Sequence, residues 1–408
     1  MVARKSQLHI TGVGEEISAL ANLPWEKPLE LWPEDPSLAA QRGISRHIVR
    51  LVRSTPDPES EIYAVKETVE EFAHREYEAL KELGLRGAPS VSQIAIVNGR
   101  RDESGQELPC AIVTRFLPYS LPYRVVLSGD VTQHEITNMA NALAYLLVRL
   151  HLLGFWWGDC SLSNTLFRRD ADGFAAYLVD AETGEFQKHL SNGQREHDLD
   201  IARFNVAAEL EDLKIAGVLF PTMDPIRASE SVITRYRKIW KSLSEPQVLP
   251  ANDRHAVERA MRALQDIGFA VEEVDIRLAG DQSTLTFTPK LVAPNYHSLK
   301  LKEVLGLDAE EFQAKRLLAS FERFRSRELS STPNKEDLAG RWLEEVFHKV
   351  INSVPEELQG RVEDAQLFHE VLEHRWYLGE KAGHDLGLDF ATVDYINNVL
   401  PLRTDSGR

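Results

Sequence analysis

The sequence predicts an α+β fold in which a β-rich lobe precedes a helical lobe. Several β-like segments with one helix among them come first, and a largely helical stretch follows. Further along, a helix and two strand-like segments predict a small α/β region, and residues 336–400 have helical periodicity throughout. Such changes of periodicity along one chain indicate separate layers or domains. We therefore predict a lead-in over residues 1–39, a β-rich lobe over 40–117, a helical lobe over 118–245, an α/β region over 250–329 and a helical domain over 334–408.

Composition narrows the class of protein. A chain of 408 residues, 43% of them apolar, exceeds the size of most single cores. The net charge of −16, from 47 basic and 63 acidic residues, argues against a nucleic-acid partner. Cys110 and Cys160 are too isolated for a disulfide framework or a zinc site, which fits the reducing cytoplasm. No apolar run approaches the ~18 residues of a membrane-spanning helix, and residues 1–14 lack a signal peptide's apolar core.

The elements of the two lobes follow from periodicity and turn residues. The β-rich lobe contains one predicted helix, Val69–Leu83. Its strands are predicted at Ile48–Val52, Ile62–Val65, Gln93–Val97 and Ala111–Phe116. The helical lobe is predicted to contain helices Thr132–Leu153, His197–Ala216 and Ser229–Leu243 and a hairpin of Thr165–Phe167 and Ala176–Val179.

In the C-terminal part, the two prolines within Ser244–Asn252 predict a linker. A turn at Gly280-Asp281 separates two predicted strands, and a further break is predicted at Ser330–Asn334. The predicted elements before that break are helix Arg254–Ile267, strands Ala270–Leu278 and Ser283–Thr288, and two or three helices up to about Glu328. The candidate core residues of the last domain are Trp342, Phe347, Phe368 and Trp376.

One C-terminal segment could be mistaken for a metal site. His369 and His374 lie five residues apart, which turns the second side chain by about 140° from the first at 3.6 residues per turn. Metal-binding histidine pairs on helices are four residues apart. We interpret this segment as an amphipathic helix with Phe368, Leu372 and Trp376 inward.

The most informative polar residues are Asp159, Asn164 and Asp180. Asp159 and Asn164 are five residues apart, and Asp180 follows the apolar end of a predicted strand. In a phosphoryl-transfer site, one carboxylate faces the attacking hydroxyl, while an amide oxygen and a second carboxylate hold metal ions. The alternative for Asp159–Asn164 is an ordinary turn, since Asp, Ser and Asn all favour turns. A carboxylate at the end of a buried strand is costly unless it is bound, which favours a functional Asp180.

With these motifs in this order, residues 40–245 resemble the protein-kinase-like superfamily. The similarity is to its atypical branches: lipopolysaccharide (Kdo) kinases, RIO-type kinases and aminoglycoside phosphotransferases. The whole chain also resembles an actinobacterial family, DUF4032, with a Kdo-kinase-like part, in segments such as Gly43–His47 and His369–Trp376. The resemblance implies ATP and Mg²⁺ as cofactors, Asp159 as the catalytic aspartate, and Asn164 and Asp180 as metal ligands.

Two motifs depart from the usual kinase pattern. Trp157-Gly158-Asp159 replaces His-Arg-Asp, and Asp180-Ala181-Glu182 replaces Asp-Phe-Gly. Glu182 is either a second metal ligand or only a neighbour. No Ala-Pro-Glu follows, so a long activation segment is not expected. Asp198 and Asp200 are the two candidates for a buried aspartate that braces the catalytic loop. The alternative is that both are ordinary residues at the start of a helix.

The nucleotide-binding residues are assigned from the same resemblance. Lys66 ends a predicted strand, at the position where kinases place the lysine that holds nucleotide phosphates. Glu76 on the next helix is the chosen partner for this lysine, and the rival carboxylates are Glu70, Glu71 and Glu78. Taken alone, Lys66 could be a surface lysine beside an acidic helix.

The loop that covers the phosphates in kinases has a weak counterpart here. Its segment offers one glycine, Gly43, and one cation, Arg46. A glycine lets backbone N–H groups approach a phosphate closely, and an ordinary strand-entry turn is the alternative.

The sequence therefore predicts an atypical kinase-like phosphotransferase that uses ATP and Mg²⁺. Its acceptor is a small molecule or a dedicated protein partner, and residues 250–408 are a candidate region for a partner or for oligomerisation. One alternative is a pseudokinase, a nucleotide-binding scaffold that has lost turnover. The other is AMP transfer on the same fold.

Overall fold

The protein is described here from a computed structural model. The structure describes residues 8–12, 14, 16–33, 48–55, 57, 60–128, 132–253, 255–279, 283–328 and 338–403. The chain forms two compact units. The first comprises Met1–Arg168 and Ala176–Tyr236, and the second comprises Arg169–Ala175 and Arg237–Ser406. The five-part division from the sequence is finer than this and stays a prediction.

The first unit begins with a five-stranded antiparallel sheet in the order β1-β4-β5-β3-β2. Its strands are β1 (His9–Gly12), β2 (Val49–Arg53), β3 (Ile62–Thr68), β4 (Gln93–Asn98) and β5 (Cys110–Arg115). Helix α2 (Glu70–Leu85) connects β3 to β4 and packs on β4 and β5. The four predicted strands and the helix are confirmed to within a few residues. Strand β1 was missed because it is short and has only one large apolar residue, Ile10, so its pairing with β4 leaves little local signal.

The lead-in is an ordered part of this unit over residues 16–33. After α1 (Ile17–Leu20), the side chains of Trp25, Leu29 and Trp32 pack into the core of the five-stranded sheet. The fully buried Arg100 guanidinium holds this segment, because it donates to the backbone carbonyls of Trp25 and Lys27. Arg100 also pairs with Glu67 at 2.7 Å. Since Glu67 follows Lys66, the lead-in is anchored to the strand that carries the candidate site.

The helical lobe of the first unit has helix starts set by capping residues. Ser191 and Gln194 form a capping box, so α5 (Asn192–Ile215) begins five residues before the predicted His197. Asp224 accepts a hydrogen bond from the backbone N–H of Ile226, so the following helix begins at Pro225, before the predicted Ser229. The other helices are α3 (Tyr123–Val126), α4 (Gln133–Leu152) and α6 (Pro225–Ser244).

Short strands connect these helices. Strands β6 (Ser120–Pro122), β8 (Thr165–Asp170) and β9 (Gly173–Leu178) form one sheet, and β7 (Phe155–Trp156) pairs with β10 (Glu185–Phe186). The predicted hairpin is β8 and β9. The hairpin begins directly after Asn164 and ends two residues before Asp180. It therefore separates the two predicted metal ligands along the chain.

The second unit has a three-stranded sheet followed by helices. The sheet order is β11-β13-β12, with β11 (Gln247–Pro250), β12 (Phe269–Leu278) and β13 (Thr284–Pro294). The predicted linker at Ser244–Asn252 is wrong, because β11 lies within it. The helices are α7 (Ala256–Asp266), α8 (Tyr296–Leu305), α9 (Glu311–Glu328), α10 (Leu338–Trp342), a π-helical turn (Leu343–Phe347), α11 (His348–Ile351), α12 (Asp364–Ala382) and α13 (Leu388–Asn398). The predicted turn at Gly280-Asp281 and the break at Ser330–Asn334 lie outside the described residues.

Three of the four predicted core residues lie in the core of the second unit. Trp342, Phe347 and Phe368 are buried and contact one another. Trp376 is 66% exposed, so its inward placement was wrong. Together the two units confirm the α+β class, with a β-rich N-terminal region and a helical C-terminal part. Within the ranges that the structure describes, no helix is both long and apolar enough to cross a bilayer.

Candidate functional site

A buried lysine surrounded by carboxylates is the centre of the site. Lys66 Nζ lies 2.6 Å from Glu76 Oε2, 2.9 Å from Asp180 Oδ2 and 3.4 Å from Glu182 Oε2. The three partners come from α2 and from the segment after β9, so residues 114 positions apart in the chain meet here. The structure thus brings together the predicted Lys66, Glu76 and Asp180.

Helix α2 presents only one of its candidate glutamates to the lysine. The Glu76 side chain is 3% exposed, whereas Glu70, Glu71 and Glu78 are exposed to solvent. Glu76 shares a buried face with Ala73, Tyr77 and Leu80, which places its carboxylate inward. Of the four candidate glutamates, Glu76 is therefore the one on the helix face that meets Lys66.

Burial and charge shift the pKa values of this pair. Burial alone would lower the pKa of Lys66, but the carboxylates of Glu76 and Asp180 outweigh it and raise this pKa, so the lysine stays protonated. Burial raises the pKa of Glu76 to about 8; Lys66 offsets part of this rise, and the charge of Asp180 adds to it. Even with Glu76 protonated below about pH 8, Lys66 faces the two further carboxylates of Asp180 and Glu182, so the cluster keeps negative charge that a cation would balance.

This shift predicts a pH dependence of stability. Between the ordinary glutamate pKa of 4.5 and about 8, folded Glu76 holds a proton that the unfolded chain releases. Stability therefore falls as pH rises through this window, by up to about 1.4 kcal/mol per pH unit. We expect Glu76→Gln to remove this component in chemical denaturation between about pH 5 and pH 8. Glu78→Gln, on the exposed side of the same helix, should keep the wild-type slope; an unchanged slope in Glu76→Gln would contradict the assignment.

The carboxylates suit a hard divalent cation. Ligand atoms of Glu76, Asp180 and Glu182 all lie within 4.8 Å of one another. Magnesium prefers oxygen ligands and usually binds one or two carboxylates together with substrate phosphates. The donor chemistry of Asp180 and Glu182 therefore fits Mg²⁺, and the sequence had left the role of Glu182 open. Glu182 is placed by its own backbone N–H, which donates to Asp180 Oδ1 at 3.0 Å.

The loop from Asp159 to Asn164 has an ordered polar geometry. Asn164 Nδ2 donates to Asp159 Oδ2 and to the Asp159 carbonyl, both at 3.1 Å. Asn205 Nδ2 of α5 donates to Asp159 Oδ1 at 3.1 Å. Both carboxylate oxygens of Asp159 are thus held by neutral amide donors. Since its amide nitrogen points at Asp159, Asn164 keeps its Oδ1 for another ligand.

Gly158 explains why glycine precedes Asp159. Its φ is +77°, a left-handed conformation that side chains disfavour. A Cβ here would lie 2.9 Å from the ring of Trp156. The Gly-Asp pair therefore satisfies a backbone requirement of the loop entrance.

Trp157 ties this loop to Asp180. The indole Nε1 donates to the Asp180 carbonyl at 3.0 Å, and Thr183 Oγ1 donates to the Trp157 carbonyl at 2.9 Å. The Trp157 side chain is fully buried. Trp157 thus joins the loop and the segment at Asp180 by packing and hydrogen bonding.

A second buried network braces the loop entrance. Asp198 on α5 accepts from the backbone N–H groups of Trp157 at 2.8 Å and Gly158 at 2.7 Å. Burial lowers the pKa of His151, so the ring is neutral and its Nε2–H donates to Asp198 at 3.1 Å. Tyr236 donates its hydroxyl to His151 Nδ1 at 2.7 Å. Asp198 makes these contacts, whereas Asp200 pairs with Arg203 at the surface.

The same face of α5 also holds the far end of the loop. Glu209 accepts from the backbone N–H of Leu162 at 2.7 Å and from that of Ser163 at 3.0 Å. Sequence reasoning missed both Asn205 and Glu209. Their signal was their position, 7 and 11 residues after Asp198, which places all three on one helical face.

An apolar cleft adjoins these groups within the first unit. It is bounded by Lys66, Glu76, Asn164 and Asp180 and by apolar side chains from the β-sheet and the hairpin. These apolar residues are Val49, Leu51, Ala64, Val91, Ile112, Phe116, Leu117, Leu166 and Val179. An apolar surface beside a few convergent polar groups is typical of a cofactor site. The predicted phosphate-covering residues Gly43 and Arg46 lie outside the described residues.

The C-terminal histidines do not meet at one site. His369 Nε2 contacts Asp172 at 3.0 Å, whereas His374 Nε2 contacts Asp394 at 2.9 Å. The guanidinium of Arg316 also pairs with Asp172, so the positive charge next to this carboxylate comes from a side chain. These contacts agree with the interpretation of an amphipathic helix.

Comparisons with known proteins show a family similarity for the C-terminal part of the chain. No curated protein matches the sequence. One similar solved structure, described as WaaP in complex with acyl carrier protein, shares 16% identity, covers 64% of this chain and 99% of its own, and gives a TM-score of 0.35. The family described as "Domain of unknown function (DUF4032)" matches residues 238–400, which coincide with most of the second unit. The predicted similarity to this family is thus confirmed for residues 238–400.

Proposed function

We propose that the first unit is an atypical kinase-like phosphotransferase that uses ATP and Mg²⁺ in the cytoplasm. The observation that carries this proposal is Lys66, buried between Glu76 and Asp180 at the edge of an apolar cleft. A lysine paired with a helix glutamate and placed beside a metal-binding aspartate is the arrangement that holds nucleotide phosphates in kinases.

Each residue has a role in this proposal. Lys66 binds phosphate oxygens, and Glu76 keeps its ammonium group in place. Asp180, with Glu182, holds the metal, and Asn164 offers its amide oxygen as a further ligand. Bound Mg²⁺ would neutralise charge on the phosphates. Asp159 accepts the proton of the acceptor hydroxyl as that oxygen bonds to the terminal phosphorus and ADP leaves.

A nucleotide-binding scaffold is the second candidate. Both carboxylate oxygens of Asp159 already accept amide hydrogen bonds, so the loop is also compatible with a site that binds without turnover. AMP transfer would use the same cleft, with attack at the phosphorus nearest the ribose. Product analysis separates these alternatives.

Nucleotide binding should depend on metal. We expect ATP with Mg²⁺ to raise the apparent melting temperature, since a ligand at 100 times its Kd stabilises the folded chain by about 2.7 kcal/mol. ATP with a chelator should give a smaller rise, and Asp180→Asn should remove the difference between the two conditions.

The matched control is Asp172→Asn, a carboxylate in the second unit, which should respond like wild type. No shift with any nucleotide would contradict the proposed function. A shift of equal size with and without Mg²⁺ would contradict the metal role of Asp180 and favour the scaffold.

A further inference from the structure

One face of α5 contacts the candidate catalytic loop along its whole length. Asp198 binds the backbone before Asp159, Asn205 binds Asp159 itself, and Glu209 binds the backbone after it. At 100° per residue, positions 7 and 11 after Asp198 lie within about 20° of it on either side. A single rigid helix therefore sets the position of the loop.

Asn205 has the most direct contact with the reacting group. Its Nδ2 donates to Asp159 Oδ1 at 3.1 Å and to the Cys160 carbonyl at 3.2 Å. The two bonds fix both the carboxylate and the backbone that follows it. Asn164 occupies the other carboxylate oxygen, so the Asp159 side chain is held from both sides and cannot rotate freely.

Glu209 fixes the backbone between Asp159 and Asn164. It accepts two backbone N–H groups and the Ser163 hydroxyl. Burial raises the pKa of Glu209, and the three hydrogen bonds oppose that rise. A half-buried carboxylate with three donors is a strong local constraint, because removing it would leave the backbone N–H groups without partners.

We propose that Asn205 is the positioning residue for Asp159, and that Glu209 holds the loop that carries Asn164. This inference rests on the proposed function, because a reacting carboxylate is what Asn205 would position. It adds a requirement beyond that function: the geometry of catalysis is set by the middle of α5 as well as by the loop motif.

The first test is Asn205→Leu, followed as ADP release from ATP with Mg²⁺ and with water as the phosphoryl acceptor. A hydrogen bond to a charged group contributes about 1.5–3 kcal/mol, so we expect kcat to fall about 10- to 100-fold. The KM for ATP should change less than twofold, because the hydrogen bonds of Asn205 within the described ranges go to Asp159 and Cys160 and not to Lys66 or Asp180. Glu211→Leu, on the exposed side of the same helix, should match wild type.

The second variant, Asn205→Asp, keeps the shape of the side chain. It places a second carboxylate against Asp159, and like charges at this distance disfavour the ionised form. The acid limb of its kcat profile should therefore move to higher pH. If the side chain at position 205 does not face Asp159, this profile stays as in wild type.

The outcomes separate the inference from the function. If wild type releases ADP and Asn205→Leu does so equally well, or Asn205→Asp keeps the wild-type pH profile, the positioning role is overturned while the proposed function stands. If wild type releases no ADP above a chelator control, the proposed function fails and the positioning role fails with it.

Discussion

Asp159→Asn is expected to lower ATP-dependent transfer by about 10²–10⁴-fold, the contribution of a positioned general base. The variant keeps the size of the side chain and much of its hydrogen bonding to Asn164 and Asn205, but it cannot accept the acceptor proton. ATP affinity should be unchanged, because Lys66, Glu76 and Asp180 are not altered. ADP release and the thermal shift with ATP and Mg²⁺ measure the two effects separately.

The matched control for this variant is Asp200→Asn. Asp200 is an exposed α5 carboxylate that pairs with Arg203, and its loss should leave the rate unchanged. Full activity of Asp159→Asn would refute the base role. A parallel loss of nucleotide binding would instead show that the substitution disturbs the whole site.

Lys66→Met is expected to have the largest effect on stability and to abolish nucleotide binding. It leaves Glu76, Asp180 and Glu182 without their shared cation in a buried site. Removing one partner of a buried ion pair costs about 3–5 kcal/mol. The loss should be largest near pH 8.5 and smaller near pH 5.5, where Glu76 is already protonated, since its pKa is about 8.

Chemical denaturation at the two pH values tests this effect. Lys81→Met is the control, because Lys81 lies on the same lobe in a surface pair with Glu78. Surface pairs contribute about 0–1 kcal/mol. Equal effects of the two substitutions, or a loss in Lys66→Met that does not depend on pH, would contradict the described charge cluster.

Local patterns predicted much of the first unit. Strand β3, helix α2 and strands β4 and β5 have clear periodicities, and Lys66 and Glu76 were placed through that order. The loop motif was also visible, because Asp159 and Asn164 lie close together in the chain. Such short-range relations are what a single sequence records directly.

Long-range relations were harder to predict. Asn205 and Glu209 lie on a helix whose polar residues occur on several faces, so their contacts depend on which face meets the loop. The role of Glu182 depends on the turn after Asp180, in which its N–H bonds the aspartate. Helical spacing places Asn205 and Glu209 on the face of Asp198, but it does not show that this face meets the loop, and no periodicity predicts the turn at Glu182.

Two errors in the second unit have physical reasons. Pro246 and Pro250 suggested a linker, but β11 lies at the edge of its sheet, where a proline is tolerated because one side of the strand needs no donor. Trp376 follows the apolar stripe of α12, yet among the described residues the core includes residues of α12 only up to Leu372, and Trp376 is exposed. Periodicity indicates an apolar face but does not show how far another element covers it.

The most direct test of the central claim is a product analysis by mass spectrometry. The full chain is incubated with ATP and Mg²⁺, with water as the phosphoryl acceptor, alongside Asp159→Asn and a chelator control. The proposed function predicts ADP from wild type, little ADP from Asp159→Asn, and none with chelator. AMP and pyrophosphate as products, or unchanged ATP in every sample, would contradict a phosphotransferase centred on Lys66, Asp159 and Asp180.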